Sequence, residues 1–277
     1  MTYRLKKIRE DGTILLVGCG GTGGFVAEGL CRLINGTSYH LYLVDPDRVE
    51  ERNLGRQNFV KANLGRFKAQ VLAERLAGQF GMPIDYFVKP IQQLALDDRG
   101  HLTIGCVDNP AARDRLQIAG KYTMGGYYSY CKLGGWYIDA GNGEHSGQVL
   151  IGNGLLKPNE LNKSFYPDTG ICERLPLPTV QQPALLAPEA KPRQRRNCAE
   201  AVSREEQSPV INRVMADLVL TFVHKLLTGK LTWMAAYIDL ETGTMSAVDA
   251  EPETVSRITG LTIRQLEYRP RKTEQGV

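Results

Sequence analysis

Ile14-Leu-Leu-Val17, then Gly18-Cys-Gly-Gly-Thr-Gly-Gly24, then Phe25 to Ile34: the reading of this stretch decides the fold. Four consecutive apolar residues bounded by glycine read as a short buried strand. Phe25 to Ile34 has helical spacing and stops at Asn35-Gly36. A second apolar run, Leu41–Val44, closes on Asp45. Together these make a strand-helix-strand unit whose two strands lie parallel with a right-handed connection. Gly18-x-Gly20-x-x-Gly23 falls between the first strand and the helix. There the glycines let backbone approach a phosphate, and the helix N-terminus presents free N–H groups. Asp45 ends the next strand, where a carboxylate can accept from ribose hydroxyls. Taken alone, this pattern fits any nucleotide or dinucleotide.

Outward from that unit, strands and helices keep alternating. Gly65 to Phe80 carries Phe67, Val71, Leu72, Leu76 and Phe80 at helical spacing and stops at Gly81. Strands are expected at Ile84–Val88, Leu102–Val107, Trp136–Asp139 and Gln148–Ile151, and a short helix at Ala111 to Ala119 behind Pro110. Leu175 to Pro192 holds five prolines, which forbid regular structure and predict an extended, mobile crossing loop. Pro209 opens a long amphipathic helix that ends at Gly229. Trp233–Leu240 and Thr244–Val248 flank Glu241-Thr-Gly243 as a hairpin. Nothing firm is read from residues 250–277, whose polar end is expected to fray.

The fold class is therefore α/β: a Rossmann-like, mostly parallel sheet flanked by helices, with a proline-rich crossover loop and a C-terminal β-hairpin. The 277 residues form a single domain. Residues 12–120 make its nucleotide-binding half; 121–277 extend the sheet and carry the crossover loop, at about 172–205, and the last helix and hairpin.

Composition narrows the class. A net charge of +4 with mixed signs does not call for nucleic acid. No apolar run is long enough to span a bilayer and no signal region follows the basic start, so a cytoplasmic location is expected. The six cysteines contain no Cys-x-x-Cys pair, so no structural zinc is expected.

The residues after Asp45 separate the nucleotide chemistries. The segment runs Asp45-Pro-Asp47-Arg-Val49-Glu-Glu-Arg-Asn53-Leu54-Gly-Arg56-Gln57, with Lys68 on the helix beyond and Asp108-Asn109 at a later strand end. A hydride-transferring enzyme has no use for Arg56 and Lys68 at the phosphate end, nor for a carboxylate ready for magnesium. A triphosphate needs all three.

Gly18-x-Gly20-Gly21-x-Gly23, Asp45-x-Asp47-x-Val49, Asn53-Leu54-x-Arg56-Gln57, Lys68 and Asp108-Asn109 occur in one order. The chain thereby resembles the ThiF/MoeB/ubiquitin-activating-enzyme superfamily from about residue 12 to 230. Within it, the chain looks similar to the ThiF-like proteins of PRTRC cassettes on bacterial mobile elements. The resemblance implies ATP and Mg2+ as cofactors, with Gly18, Gly20, Gly21 and Gly23 under the phosphates and Asp45, with Asp47 beside it, at the ribose. It implies Asn53, Arg56, Gln57 and Lys68 as phosphate ligands and Asp108, next to Asn109, as the magnesium acid. It also implies a homodimer, and as partner a small ubiquitin-like protein whose flexible C-terminal carboxylate is adenylated. Relatives bring an arginine from a neighbouring subunit; here only Arg4 and Arg9 precede the first strand.

In such relatives a cysteine of the crossing loop can take over the acyl group, and Cys198 in Arg-Arg-Asn-Cys198 resembles it. Arginines at 193, 195, 196 and 204 favour its thiolate. Cys172 is the second choice, Cys31 and Cys106 read as core, and Cys19 as a small loop residue. Three alternatives stay open: adenylation of a non-protein substrate such as a tRNA base, an NAD-dependent oxidoreductase, and a non-enzymatic scaffold.

Overall fold

The structure is a computed structural model and describes residues 2–94, 100–118, 135–154, 158–187 and 209–270. The strands are β1 (Arg4–Leu5), β2 (Thr13–Val17), β3 (His40–Val44), β4 (Ile84–Phe87), β5 (Gly100–Gly105), β6 (Trp136–Asn142), β7 (Ser146–Gly152), β8 (Phe165–Tyr166), β9 (Ile171–Cys172), β10 (Trp233–Asp239) and β11 (Thr244–Asp249). The α-helices are α1 (Gly21–Ile34), α2 (Lys68–Phe80), α3 (Pro110–Ile118), α4 (Pro178–Gln181), α5 (Pro209–Leu227), α6 (Pro252–Thr259) and α7 (Ile263–Leu266).

Eight of the described strands form one sheet in the order β11-β10-β7-β6-β5-β2-β3-β4. Pairing is parallel from β4 through β3, β2 and β5 to β6. It turns antiparallel at β6–β7, β7–β10 and β10–β11. The chain leaves β2 for β3 on one side and returns to β5 on the other, so the sheet has its topological switch point between β2 and β5. In open α/β sheets that crevice, at the carboxyl ends of the strands, is where ligands bind.

Both sheet faces are covered, which is why β2 is a run of apolar residues rather than an alternation. Ile14 and Leu16 enter the large core with Val26 and Leu30 of α1 and Val219, Phe222 and Val223 of α5. Leu15 and Val17 enter a smaller core with Val44, Ile91, Leu116 and Tyr137 on the opposite face. Each such side chain contributes about 1.5–3 kcal/mol by leaving water. A separate three-stranded sheet, β1-β9-β8, carries the N-terminus, where the Tyr3 and Phe165 rings meet edge-on at 5.0 Å.

Two expectations are corrected, and one segment the sequence left open is filled in. Within the described part of the proline-rich stretch, Pro178 and Pro183 each open a short helical turn, α4 and the 3-10 turn Pro183–Leu186. Proline's fixed φ suits the first helical position, where its missing N–H goes unneeded. The segment after 250 carries two packed helices, and the expected fraying of its end lies outside the described residues. Val255 of α6 and Leu266 of α7 are fully buried, and Thr262 and Gln265 form a reciprocal capping box. The helix expected from Gly65 starts at Lys68, because Gly65 turns with φ 78 and Phe67 bridges to Arg48.

Candidate active site

The glycine loop lies at the carboxyl end of β2, and its hydrogen bonds explain its shape. Gly18 N–H donates to the Val44 carbonyl at 2.9 Å, and Cys106 N–H donates to the Val17 carbonyl at 2.8 Å, so β3 and β5 both clamp the loop. Gly18 has φ 90, and a Cβ there would run into the Cys106 carbonyl. A Cβ on Gly23 would collide with the Gly18 carbonyl oxygen, which explains glycine at this helix–strand contact. No side chain caps α1. Its first turn therefore keeps the free N–H groups and partial positive charge that bind anions.

Asp45 is 5% exposed and ties this loop to β3. Its Oδ2 accepts from Cys19 N–H at 2.6 Å and its Oδ1 from Asp47 N–H at 2.8 Å. Burial pushes its carboxyl above the usual range, while those two N–H groups and the Lys68 charge pull it down. Each oxygen still has lone-pair capacity for a hydroxyl donor.

Lys68 is the first residue of α2 and is 7% exposed, with Nζ 3.0 Å from Asp47 Oδ2. A cation at the positive end of a helix dipole is misplaced by about 0.3–1 kcal/mol. Its carboxylate partner is itself 65% exposed, so that one pair offsets little of the cost of burial. Asn53, 3% exposed, fixes the preceding turn by accepting from Glu50 N–H at 2.9 Å. Its carbonyl in turn accepts from Gln57 N–H at 2.9 Å. Arg56 is half-buried on that turn. The Gln57 amide lies beside Gly20, and its buried Oε1 has no partner among the described residues. The structure thus gathers Gly18, Gly20, Gly21, Gly23, Asp45, Asp47, Asn53, Gln57 and Lys68 at the ends of β2 and β3.

Asp108 and Asn109 follow β5, across the switch point from β3. Asn109 caps α3, its Oδ1 accepting from Ala112 N–H at 2.8 Å. That leaves the Asp108 carboxylate for other work. Among the described residues no group of three His, Cys, Asp or Glu side chains gathers around one point. One carboxylate nonetheless fits magnesium held mostly by phosphates and water.

Behind α3 lies a buried network that the sequence reading did not single out. Asp139 is fully buried, with Arg113 Nε at 3.3 Å and the Tyr137 hydroxyl donating at 2.5 Å. Burial pushes the Asp139 carboxyl up, opposed by the Arg113 charge and by the hydrogen bonds of Tyr137 and Arg113. A second unforeseen cluster sits where α1, α5 and the end of β6 meet, made of Thr22, Asn142 and Asn212. The available signals were a carboxylate in a buried strand and an asparagine on the apolar side of α5.

Among the thiols, Cys172 is corrected as a nucleophile. It is fully buried, and burial pushes its thiol well up, so neither access nor thiolate is available. Cys19 and Cys31 are also fully buried. Cys106 lies just past β5, half-buried, and packs against the large core. Cys198 and Cys131 lie outside the described residues, as does the arginine-rich segment before Cys198. Arg4 is on β1, and Arg9 pairs with Asp11 at 3.0 Å on the surface. No described helix is long and apolar enough to cross a membrane.

Known proteins share this outline. A family profile described as "ThiF family" matches residues 2–256. The protein named ATP-dependent ubiquitin transferase-like protein Cap2, from Escherichia coli (strain TW11681), is 40% identical over 73 residues. That match covers 25% of this chain and 12% of Cap2. Among solved structures, selenomethionine PaaA and E. coli MccB with succinimide each superpose with a TM-score of 0.54 at 16% identity. Each superposition covers 87% of this chain and 64% of the solved one, so the chain spans under two thirds of these relatives. At that identity they establish the shared fold.

Proposed function

The chain belongs to the ThiF family, and we propose that it adenylates the C-terminal carboxylate of a small ubiquitin-like partner protein at the expense of ATP. The observation that carries the reading is Lys68: a buried cation at a helix N-terminus, beside an uncapped glycine loop. Such a site is short of negative charge, and a polyphosphate supplies it. The name of the Cap2 relative, an ATP-dependent ubiquitin transferase-like protein, supports the choice of nucleotide and of partner.

In this reading the ATP phosphates lie over Gly18–Gly24, with Lys68, Arg56, Asn53 and Gln57 around them and the ribose toward Asp45. Asp108 holds Mg2+, which neutralises phosphate charge when bound. The partner's carboxylate oxygen attacks the α-phosphorus; the new P–O bond forms as the bond to the β-phosphate breaks, and pyrophosphate leaves. The nucleophile is already an anion, so no protein base is needed; placement and charge neutralisation carry the step. Cys198 can then displace AMP from the acyl-adenylate, giving a thioester. A homodimer and a cytoplasmic setting belong to the same reading.

The test mixes purified protein, magnesium-ATP and small ubiquitin-like proteins with free or amidated C-termini, followed by intact mass without reductant. Activation gives AMP and pyrophosphate only with the free C-terminus, and none in Asp108→Ala. A reductant-sensitive adduct that vanishes in Cys198→Ala assigns the thiol. ATP left unconsumed with every free C-terminus, while a tRNA is adenylated, overturns the protein-partner reading.

A further inference from the structure

Asn212 is a fully buried asparagine in the first turn of the 19-residue helix α5. Its orientation is dictated by its neighbours. The Asn142 Nδ2 donates to the Gly143 carbonyl at 3.2 Å and to Asn212 Oδ1 at 3.3 Å. The Thr22 hydroxyl, with one proton to give, lies 3.2 Å from Asn142 Oδ1 and 3.3 Å from Asn212 Oδ1. Exchanging the oxygen and nitrogen of Asn212 would set a donor against the Asn142 donor. The oxygen therefore faces Asn142 and Thr22, and the nitrogen faces the other way.

That way lies the first residue of α1. A Cβ added to Gly21 would stand 2.6 Å from Asn212 Cγ and 2.8 Å from its Oδ1, and closer still to Nδ2. Glycine at 21 is what lets the amide lie flat against the start of the helix. The Nδ2 itself has no hydrogen-bond partner among the described residues. A buried donor without an acceptor is costly, and native structures retain one where a ligand completes it. Here it stands at the uncapped N-terminus of a 14-residue helix, where an anion is expected.

We propose that the Asn212 Nδ2 donates directly to a phosphate oxygen of the bound nucleotide, so that α5 is a further element of the phosphate site. This rests on the nucleotide reading above. The contact also gives Thr22 and Asn142 a role: they hold the amide oxygen, and with it the direction of the nitrogen.

The experiment uses the full chain with no partner protein. Affinity for a fluorescent N-methylanthraniloyl ATP is titrated for the wild type, Asn212→Asp and Asn212→Ala, and adenosine binding is measured by saturation-transfer NMR. Asn212→Asp keeps the shape and the acceptor oxygen but exchanges the donor for a second oxygen. One hydrogen bond to a charged group corresponds to roughly a ten- to hundredfold loss of ATP affinity in Asn212→Ala, and Asn212→Asp should lose more. Adenosine binding should stay within about twofold in both. ATP affinity unchanged in Asn212→Ala overturns the assignment, and so does an equal loss for ATP and adenosine, which marks a structural role. A wild-type chain that binds neither ligand overturns the nucleotide reading itself. Should the variants not fold, a crystal structure of the wild type with a non-hydrolysable ATP analogue decides. Nδ2 within roughly 3.2 Å of a phosphate oxygen supports the assignment, and any longer separation refutes it.

Discussion

Asp139→Asn removes one charge from beneath α3 while leaving the side chain's size and its capacity to accept from Tyr137. What it destroys is the compensation of Arg113, whose side chain is only 11% exposed and whose Nε lies 3.3 Å from the carboxylate. Breaking a buried pair from one side costs about 3–5 kcal/mol, because the surviving charge is left desolvated. The Tyr137 hydroxyl keeps an acceptor in the amide oxygen, and Arg113 keeps a sliver of solvent, so about 3 kcal/mol is expected. For a chain of this size that lowers Tm by roughly 6–12 °C. Urea unfolding followed through Trp136, on the same strand, measures it directly. Arg113→Met combined with Asp139→Leu and Tyr137→Phe should recover most of the loss, since apolar groups of similar volume leave neither a charge nor a buried hydroxyl uncompensated. A single-variant loss below about 1 kcal/mol, or a combined variant as unstable as the single, refutes the reasoning.

Lys68→Met should cost no more than about 1 kcal/mol of stability without nucleotide, because its ion-pair partner among the described residues is largely exposed, yet weaken ATP at least tenfold; a melt and a titration on the same sample separate the two. Gly23→Ala should give little soluble protein, and what folds should melt earlier, since its Cβ has only the Gly18 carbonyl to displace. Iodoacetamide at pH 8 should leave Cys19, Cys31 and Cys172 unmodified in the folded chain and alkylate all three in urea. All three are fully buried; burial holds the Cys31 thiol up at about 12 and the other two thiols high as well. Peptide mass mapping reads out each site.

The parallel half of the sheet was legible because its signals are local. Ile14–Val17 is buried on both faces and so carries no polar residue, and Gly18 to Gly23 has a spacing that only a tight strand-to-helix turn requires. The hairpin of β10 and β11 was announced by Glu241-Thr-Gly243, where Gly243 takes φ 67. Three other elements were not legible for the opposite reason. Pro178 and Pro183 look like breakers until their position in the turn is known, because proline disrupts a helix interior but suits its start. Val255 and Leu266 are apolar residues in a polar tail, and only the third dimension supplies the surface that buries them. Cys172 reads as an accessible loop thiol, yet the pairing of β9 with both β1 and β8 encloses it.

Three of the described residues that break a local rule show how the resolution separates ligand from scaffold. Asp139 is a carboxylate in a buried strand, but Arg113 and Tyr137 satisfy it from within the protein, so its work is finished when the chain folds. Lys68 is a cation at the wrong end of a helix, and its ion-pair partner among the described residues, Asp47, faces water. Asn212 is a donor turned onto a helix N-terminus with no acceptor in reach among the described residues. Lys68 from α2 holds a solvent-screened carboxylate, and Asn212 from α5 holds no acceptor among the described residues, so both keep donor capacity for an anion at the glycine loop. Conflicts between local preference and global fold persist where function requires them. One polyphosphate laid over Gly18–Gly24 would settle both at once.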